Sequence, residues 1–444
     1  MANFETQARR LRYHALGRAS LRHRLHTILL AHHDDDQAET VLMRIIANYL
    51  GNGLRGIKPL ADIPECHGMY GVNASGNAPI KDVLHSTLSS GELFDNMLLG
   101  AAQGGVKIGR PLLGFSKQRL IATCRHSSVP WIEDLTNEDK ILTLRNTVRY
   151  LLHGKLLPPA LHKYFLLRLC ERTKAKFEKR NSIVNSIFNS LRIKSLDIHA
   201  GKLVIQVPNL IPFRGYVEQP AVSTKYERSM LVNRIAYFVT PHEKIAVDQL
   251  SEIVQYVLPE VAGAAETTPI SVTAAGVKWH GSPSVLSSQN LEWIWTLTRQ
   301  PYKAKETRPQ CIWSTDRIQD VFFDRNSSSE PFWTWQLFDG RFWIRARNAS
   351  RQQIIARPLH EDDMKSFRAG LTKSVRARFE KMLVISAPGK VRWTLPALVD
   401  GIHGPVIAVP TFGVQLTSTV GLLHYQVQYK RVDYSNSKTN RLDI

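Results

Sequence analysis

Five ionisable side chains in a row, His32-His33-Asp34-Asp35-Asp36, stand between an apolar run and a segment with helical periodicity. The run Thr27-Ile28-Leu29-Leu30-Ala31 reads as a short buried strand. Roughly from Gln37 to Leu50, the apolar positions Val41, Leu42, Ile45, Ile46 and Tyr49 form one stripe of a helix, and Gly51-Asn52-Gly53 stops it. Upstream, residues 4 to 19 read as a helix with Phe4, Ala8, Leu11 and Ala15 on one face. Helix, buried strand, helix is the rhythm of a parallel α/β sheet. In such sheets ligands bind where strands end and helices begin. A single acid would satisfy the helix dipole and the cap. Two histidines and three aspartates exceed that need, and predict a site that holds Mg²⁺, grips a nucleotide and moves protons. A two-metal phosphohydrolase would need further paired ligands, and His67, His85 and His126 stand in no such pair.

Charge narrows the partner. The chain has 58 Lys and Arg against 38 Asp and Glu, a formal net charge of +20. Between Arg145 and Ser195 there are twelve Lys or Arg and only Glu171 and Glu178 as acids, which leaves +10 in that one stretch. A field of this sign attracts phosphate backbones. The four cysteines form no CxxC pair, which argues against a zinc site and for a reducing compartment. No stretch approaches the ~20 apolar residues of a membrane-spanning helix. The N-terminus, MANFETQARR, has no apolar core of a signal peptide.

At 444 residues the chain predicts two or three domains. The pattern fails from 61 to about 103, which reads as a long insertion, and order resumes at Val106-Lys107-Ile108. Ser116 is a candidate N-cap for a helix to about Arg125, and another helix runs from about Ile141 to His153. Residues 160 to 192 read as a basic helix, followed by a hairpin from Leu196 to Val207 that turns at Ala200-Gly201. Residues 226 to 258 return to helix, 259 to 269 read as a linker, and the remainder is β-rich with a hairpin around Asp339-Gly340. The expected organisation is an α/β domain over 1–155, a basic and mostly helical region over 156–260, and a β-rich, α+β domain over 270–444. The tryptophans at 333, 335 and 343 alternate, as core positions of a hairpin do.

The string from Ala31 to Ile57 resembles the signature of the tRNA(Ile)-lysidine synthetases: His-His-x-Asp-Asp-Gln-Ala-Glu-Thr, a helix, then Gly-x-Gly-Leu-x-Gly. Glu5 to Tyr13 is similar to that family's Glu-x-x-Ala-Arg-x-x-Arg-Tyr helix. Arg110-Pro111-Leu112-Leu113, Trp131 to Asn137 and Arg145-Asn146-Thr147-Val148-Arg149 match further blocks in the same order. A fainter likeness lies at Arg392, Pro396 and Val409-Pro410. The resemblance implies a Rossmann-like domain of the PP-loop ATP pyrophosphatase superfamily over residues 1–155, of the adenine nucleotide α-hydrolase type. It implies a ligase that uses ATP and Mg²⁺ to adenylate C2 of the wobble cytidine in an isoleucine tRNA with a CAU anticodon, and then joins free lysine to that carbon.

The same resemblance implies roles. Asp36 is the key acid, Asp35 stands beside it for metal or nucleotide, and Arg12 is the cation that steadies the adenylated base. His32, His33 and Glu39 contact nucleotide or base, while Arg145, Arg149, Lys174, Lys176, Lys179 and Arg180 hold tRNA phosphates. Arg145 and Arg149 are one turn apart and equally suit a salt bridge to Glu133 or Asp134. The family's phosphate loop, Ser-Gly-Gly-x-Asp-Ser, occurs nowhere in the 444 residues. The expectation is therefore a truncated N-terminal sheet, in a fragment or in a catalytically inactive tRNA-binding homologue. By family inference the compartment is mitochondrial, otherwise cytoplasmic, with no targeting segment visible.

Overall fold

The structure is a computed structural model, and it describes residues 2–76, 99–132, 143–154, 156–207, 225–258, 268–287, 290–314, 334–349 and 353–432. Residues 77–98 of the 61–103 segment, residues 259–267 of the linker, Trp333, Glu133 and Asp134 lie outside the described residues. The chain divides into two compact units, one of 1–66 with 105–183 and one of 67–104 with 184–444.

The first unit begins with helix α1 (Ala2–Arg22), strand β1 (Thr27–Leu29), helix α2 (Asp34–Ile46) and strand β2 (Leu60–Asp62). Strand β3 (Gly100–Ala101) belongs to the second unit. The first unit resumes at β4 (Lys107–Gly109) and continues through α3 (Lys117–His126), α4 (Leu144–His153) and the long α5 (Lys163–Ser190), whose residues up to Ile183 belong to it. Strand β1 pairs in parallel with β4, in register Thr27 to Lys107, and β2 pairs with β4 antiparallel. The α/β reading holds at this level. The strand expected to be buried is instead, among the described residues, at the edge of this sheet, and Leu29 is 69 % exposed because the face it points to is left open.

A second expectation is corrected in α1. Leu11 and Ala15 face outward, and Tyr13, Gly17 and Ser20 face inward. The close approach of residues 65 and 66 explains the choice: the Cys66 thiol donates to the Tyr13 carbonyl at 3.4 Å, and His14 Nε2 lies 2.7 Å from the Glu65 carbonyl. One aromatic ring flanked by two small residues admits that backbone, which an aliphatic stripe would hold off.

The core under the site joins three helices. Ala38, Val41 and Leu42 of α2 pack against Val148 of α4 and against Leu166 and Cys170 of α5. Each larger apolar side chain buried here contributes about 1.5–3 kcal/mol. Helix starts follow their caps: Ser116 Oγ accepts from the Arg119 N–H at 3.2 Å, and Thr143 Oγ1 from the Asn146 N–H at 3.1 Å. The loop after α2 is tied back to it. Gln37 donates to the Ile57 carbonyl at 3.0 Å and accepts from the Ile57 N–H at 2.6 Å. Gly56 has φ +63°, and a Cβ there would lie 2.1 Å from Gln37 Oε1, so this glycine meets both a backbone and a space requirement.

In the second unit, β5 (Arg192–Asp197), β6 (Lys202–Val207), β7 (Ile270–Ala274), β8 (Val277–Ser287) and β9 (Asn290–Arg299) form an antiparallel sheet of order β5-β6-β9-β8-β7. Trp279 and Trp295 are fully buried there, in one core with residues of α6 (Lys225–Ala236) and α7 (Ser251–Val257). Strand β10 (Cys311–Trp313) belongs to a third sheet, while β11 (Gln336–Phe338) and β12 (Phe342–Asn348) form the expected hairpin at Asp339-Gly340, both with positive φ. Trp343 is buried, and Tyr70 stacks on Trp335 with ring centroids 4.4 Å apart. Strand β13 (Ile354–Pro358), helices α8 (Asp363–Ala369) and α9 (Lys373–Ile385), and strands β14 (Pro396–Asp400), β15 (Val406–Val409) and β16 (Val414–Gln415) complete the α+β part, and β17 (Leu423–Tyr429) pairs with β12.

Candidate active site

The five-residue row lies just beyond the carboxyl end of β1 and runs into the first turn of α2. His33 is the N-cap, in extended conformation at φ −122°. Its backbone N–H donates to Asp36 Oδ2 at 2.9 Å, so Asp36 serves the helix as a capping acid. The side chains converge as well. His33 Nδ1 lies 3.6 Å from Asp35 Oδ2 and 3.5 Å from Asp36 Oδ2. His33, Asp34 and Asp35 each present a ligand atom within 4.8 Å of the others.

A residue that the sequence reading passed over closes the cluster. Lys163, the first residue of α5, donates to Asp34 Oδ1 at 2.7 Å and to Asp35 Oδ1 at 2.5 Å. The Lys117 N–H, at the start of α3, donates to Asp35 Oδ2 at 3.2 Å. Burial pushes the Asp35 carboxyl up, but Lys163 and the Lys117 N–H outweigh burial and hold it below the ordinary carboxylate value. Burial lowers the Lys163 ammonium, and the two aspartates more than restore it, so it stays charged. The only hint in the sequence was the membership of Lys163 in the basic stretch, where spacing gave no reason to single it out.

His32 is half-buried. Burial holds its imidazole below the ordinary value, Asp36 opposes this, and Arg110 and Arg145 push the same way as burial. It is therefore neutral at pH 7, with Nδ1 buried and without a hydrogen-bond partner among the described residues. Arg110, the first residue of the Arg-Pro-Leu-Leu block, is 9 % exposed, and one of its Nη atoms donates to the Lys58 carbonyl at 2.9 Å.

Glu39 faces away from solvent, and its side chain is 2 % exposed. Arg149 grips it, with Nε 2.8 Å from Oε1 and Nη2 3.3 Å from Oε2, and Arg145 Nε lies 3.2 Å from Oε2. The two arginines one turn apart thus share a carboxylate partner, and it comes from α2. Arg12 lies exposed on α1, and among the described residues no hydrogen bond or ion pair links it to the acids. Lys174, Lys176, Lys179 and Arg180 lie along α5, with Lys176 and Lys179 exposed and the other two half-buried.

Residues 1–156 match a PP-loop domain. The chain is 25 % identical over 424 residues to a probable tRNA(Ile)-lysidine synthase of Schizosaccharomyces pombe, covering 95 % of this chain and 76 % of that protein. It is 31 % identical over 137 residues to the tRNA(Ile)-lysidine synthase of Ruegeria pomeroyi, covering 31 % of this chain and 23 % of the relative. With the Bacillus licheniformis enzyme of the same name it shares 28 % identity over 148 residues, 33 % of this chain and 22 % of the relative. The chain thus spans about three quarters of the fission-yeast relative and under a quarter of these two bacterial ones. The chain is thus similar to tRNA(Ile)-lysidine synthases, and its segment that matches a PP-loop domain carries the His32–Asp36 cluster.

Proposed function

We propose that this chain acts in the ATP-dependent joining of lysine to C2 of the wobble cytidine of an isoleucine tRNA with a CAU anticodon. The observation that carries the reading is the convergence of His33, Asp34, Asp35 and Asp36 at the end of β1 and the N-terminus of α2, inside the segment that matches a PP-loop domain. In this reaction the C2 oxygen of cytidine attacks the α-phosphorus of ATP and releases pyrophosphate. The ε-amine of lysine then attacks C2 and expels AMP.

Each residue of the cluster has work in that sequence. Asp36 takes the proton from the incoming ammonium, because only the free amine has a lone pair to attack with. Neutral His32 donates or accepts a hydrogen bond at the base or the nucleotide. Lys163 fixes Asp34 and Asp35, so their charge does not need to reorganise during the reaction. Carboxylate oxygens are the donor class that Mg²⁺ takes, and Asp35 and Asp36 would hold the ion. When bound, Mg²⁺ supplies charge neutralisation at the ATP phosphates. Arg12 is the proposed cation at the adenylated base, and the basic face of α5 is the proposed tRNA surface.

The test is tRNA-dependent conversion of ATP to AMP and pyrophosphate. It uses a protein in which a segment bearing Ser-Gly-Gly-x-Asp-Ser precedes residue 1, because pyrophosphate needs a cradle of backbone N–H groups. The expected result is AMP formation that requires tRNA with a CAU anticodon. Release of inorganic phosphate from small substrates without tRNA would instead support a metal phosphohydrolase and overturn the reading.

A further inference from the structure

Lys163 holds Asp34 and Asp35, and the next two residues of α5 are Tyr164 and Phe165. Neither ring is spent on the core: Tyr164 is 60 % exposed and Phe165 49 %. The rings meet edge to face with centroids 5.2 Å apart. Arg168, one turn along, lies with its guanidinium 5.7 Å from the Tyr164 ring and donates to its hydroxyl at 3.2 Å. Arg172 and Lys176 continue the exposed surface, and Glu171 and Glu178 are the two acids of this helix.

Two large rings in water on a rigid helix cost solvation free energy unless a partner covers them. Flanking cations at one-turn spacing select a polyanion as that partner. An unpaired nucleotide meets both demands at once, its base stacking on a ring and its phosphate pairing with an arginine. We infer that Tyr164 and Phe165 are a stacking platform for unpaired nucleotides of the RNA substrate, next to the acid cluster, with Arg168 holding the Tyr164 ring in place. The inference rests on the tRNA reading and adds to it a pair of residues that contact bases. Chemistry at C2 requires the wobble base to leave its stack. A platform beside the acids receives the bases that this opening exposes.

The experiment uses the 444-residue protein and an isoleucine anticodon stem-loop carrying 2-aminopurine in the loop. Binding is read by anisotropy and stacking by quenching of the 2-aminopurine emission. The parent is expected to bind with strong quenching, and Tyr164→Phe to retain it. The double variant Tyr164→Leu, Phe165→Leu is expected to lose most of the quenching and about tenfold in affinity. Both positions are exposed, so circular dichroism should be unchanged. Full quenching by the double leucine variant would overturn the platform while leaving RNA binding intact. Weaker binding with unchanged quenching would mean apolar contact without stacking, and would overturn it too. A parent that binds no RNA would bring down the tRNA reading together with the platform.

Discussion

Asp36 caps α2 through the His33 N–H and belongs to the proposed reaction at the same time. Asparagine separates these duties, because its amide oxygen still accepts the capping hydrogen bond while the carboxylate charge is gone. Asp36→Asn is expected to unfold at nearly the parental urea midpoint, and to lose AMP formation by two orders of magnitude or more in the loop-bearing protein. Glu39 gives the opposite result. Its carboxylate is 2 % exposed between Arg145 and Arg149, and Glu39→Gln leaves two guanidinium groups beside a neutral amide. Both arginines keep some access to water, so the expected loss is about 2 kcal/mol, below the range for a fully buried pair; urea denaturation measures it. Asp35 has a pH signature. Its folded value is depressed, so its contribution is present above the ordinary carboxylate range and is lost as pH falls through the folded value. In Lys163→Met the Asp35 resonance is expected to titrate at higher pH by NMR, and the stability lost on acidification to shrink. The acids themselves were legible in the sequence because five ionisable side chains at a strand–helix junction exceed what a helix cap needs. Lys163 was not, since its partners are 128 and 129 residues away and no local pattern records such a contact.

At the scale of elements, helix α5 is where charge and fold coincide. Leu166 and Cys170 bury one side in the core with α2 and α4, while Lys176 and Lys179 stand exposed and Lys174 and Arg180 are half-buried. Replacing Lys174, Lys176, Lys179 and Arg180 together with Gln is expected to weaken tRNA binding and to flatten its dependence on salt, because fewer counterions are released. Fluorescence anisotropy across a salt series measures both, and a quadruple variant with the parental slope would remove this helix from the RNA surface. Periodicity placed α2, α4, α5 and both hairpins within a few residues of their observed ends. It failed for α1, where Tyr13 with two small neighbours packs inward in place of Leu11. It also failed for the burial of β1, since an apolar run does not say which faces of the strand other elements will cover.

At the scale of the whole molecule, each unit carries its own buried charge. In the second unit Lys430 is fully buried, with its ammonium 2.6 Å from the Thr240 carbonyl and 4.9 Å from the centre of the Tyr237 ring. Burial, aided by Arg341 and opposed by Asp339, lowers it to about 7. The folded value lies below the unfolded one, so stability is expected to rise as pH increases from about 7 towards the ordinary lysine value. Thermal melts from pH 6 to 9.5 should show that rise in the parent and a flatter profile in Lys430→Met. The proposed lysine-joining reaction belongs to the first unit. Its most direct test is mass spectrometry of nucleosides from an isoleucine tRNA with a CAU anticodon, incubated with ATP and lysine. Lysidine is expected at the wobble position with the protein that carries a Ser-Gly-Gly-x-Asp-Ser segment ahead of residue 1, and unmodified cytidine with residues 1–444 alone or with Asp36→Asn in the loop-bearing protein. Unmodified cytidine throughout, or equal lysidine with and without the Asp36 carboxylate, would contradict it.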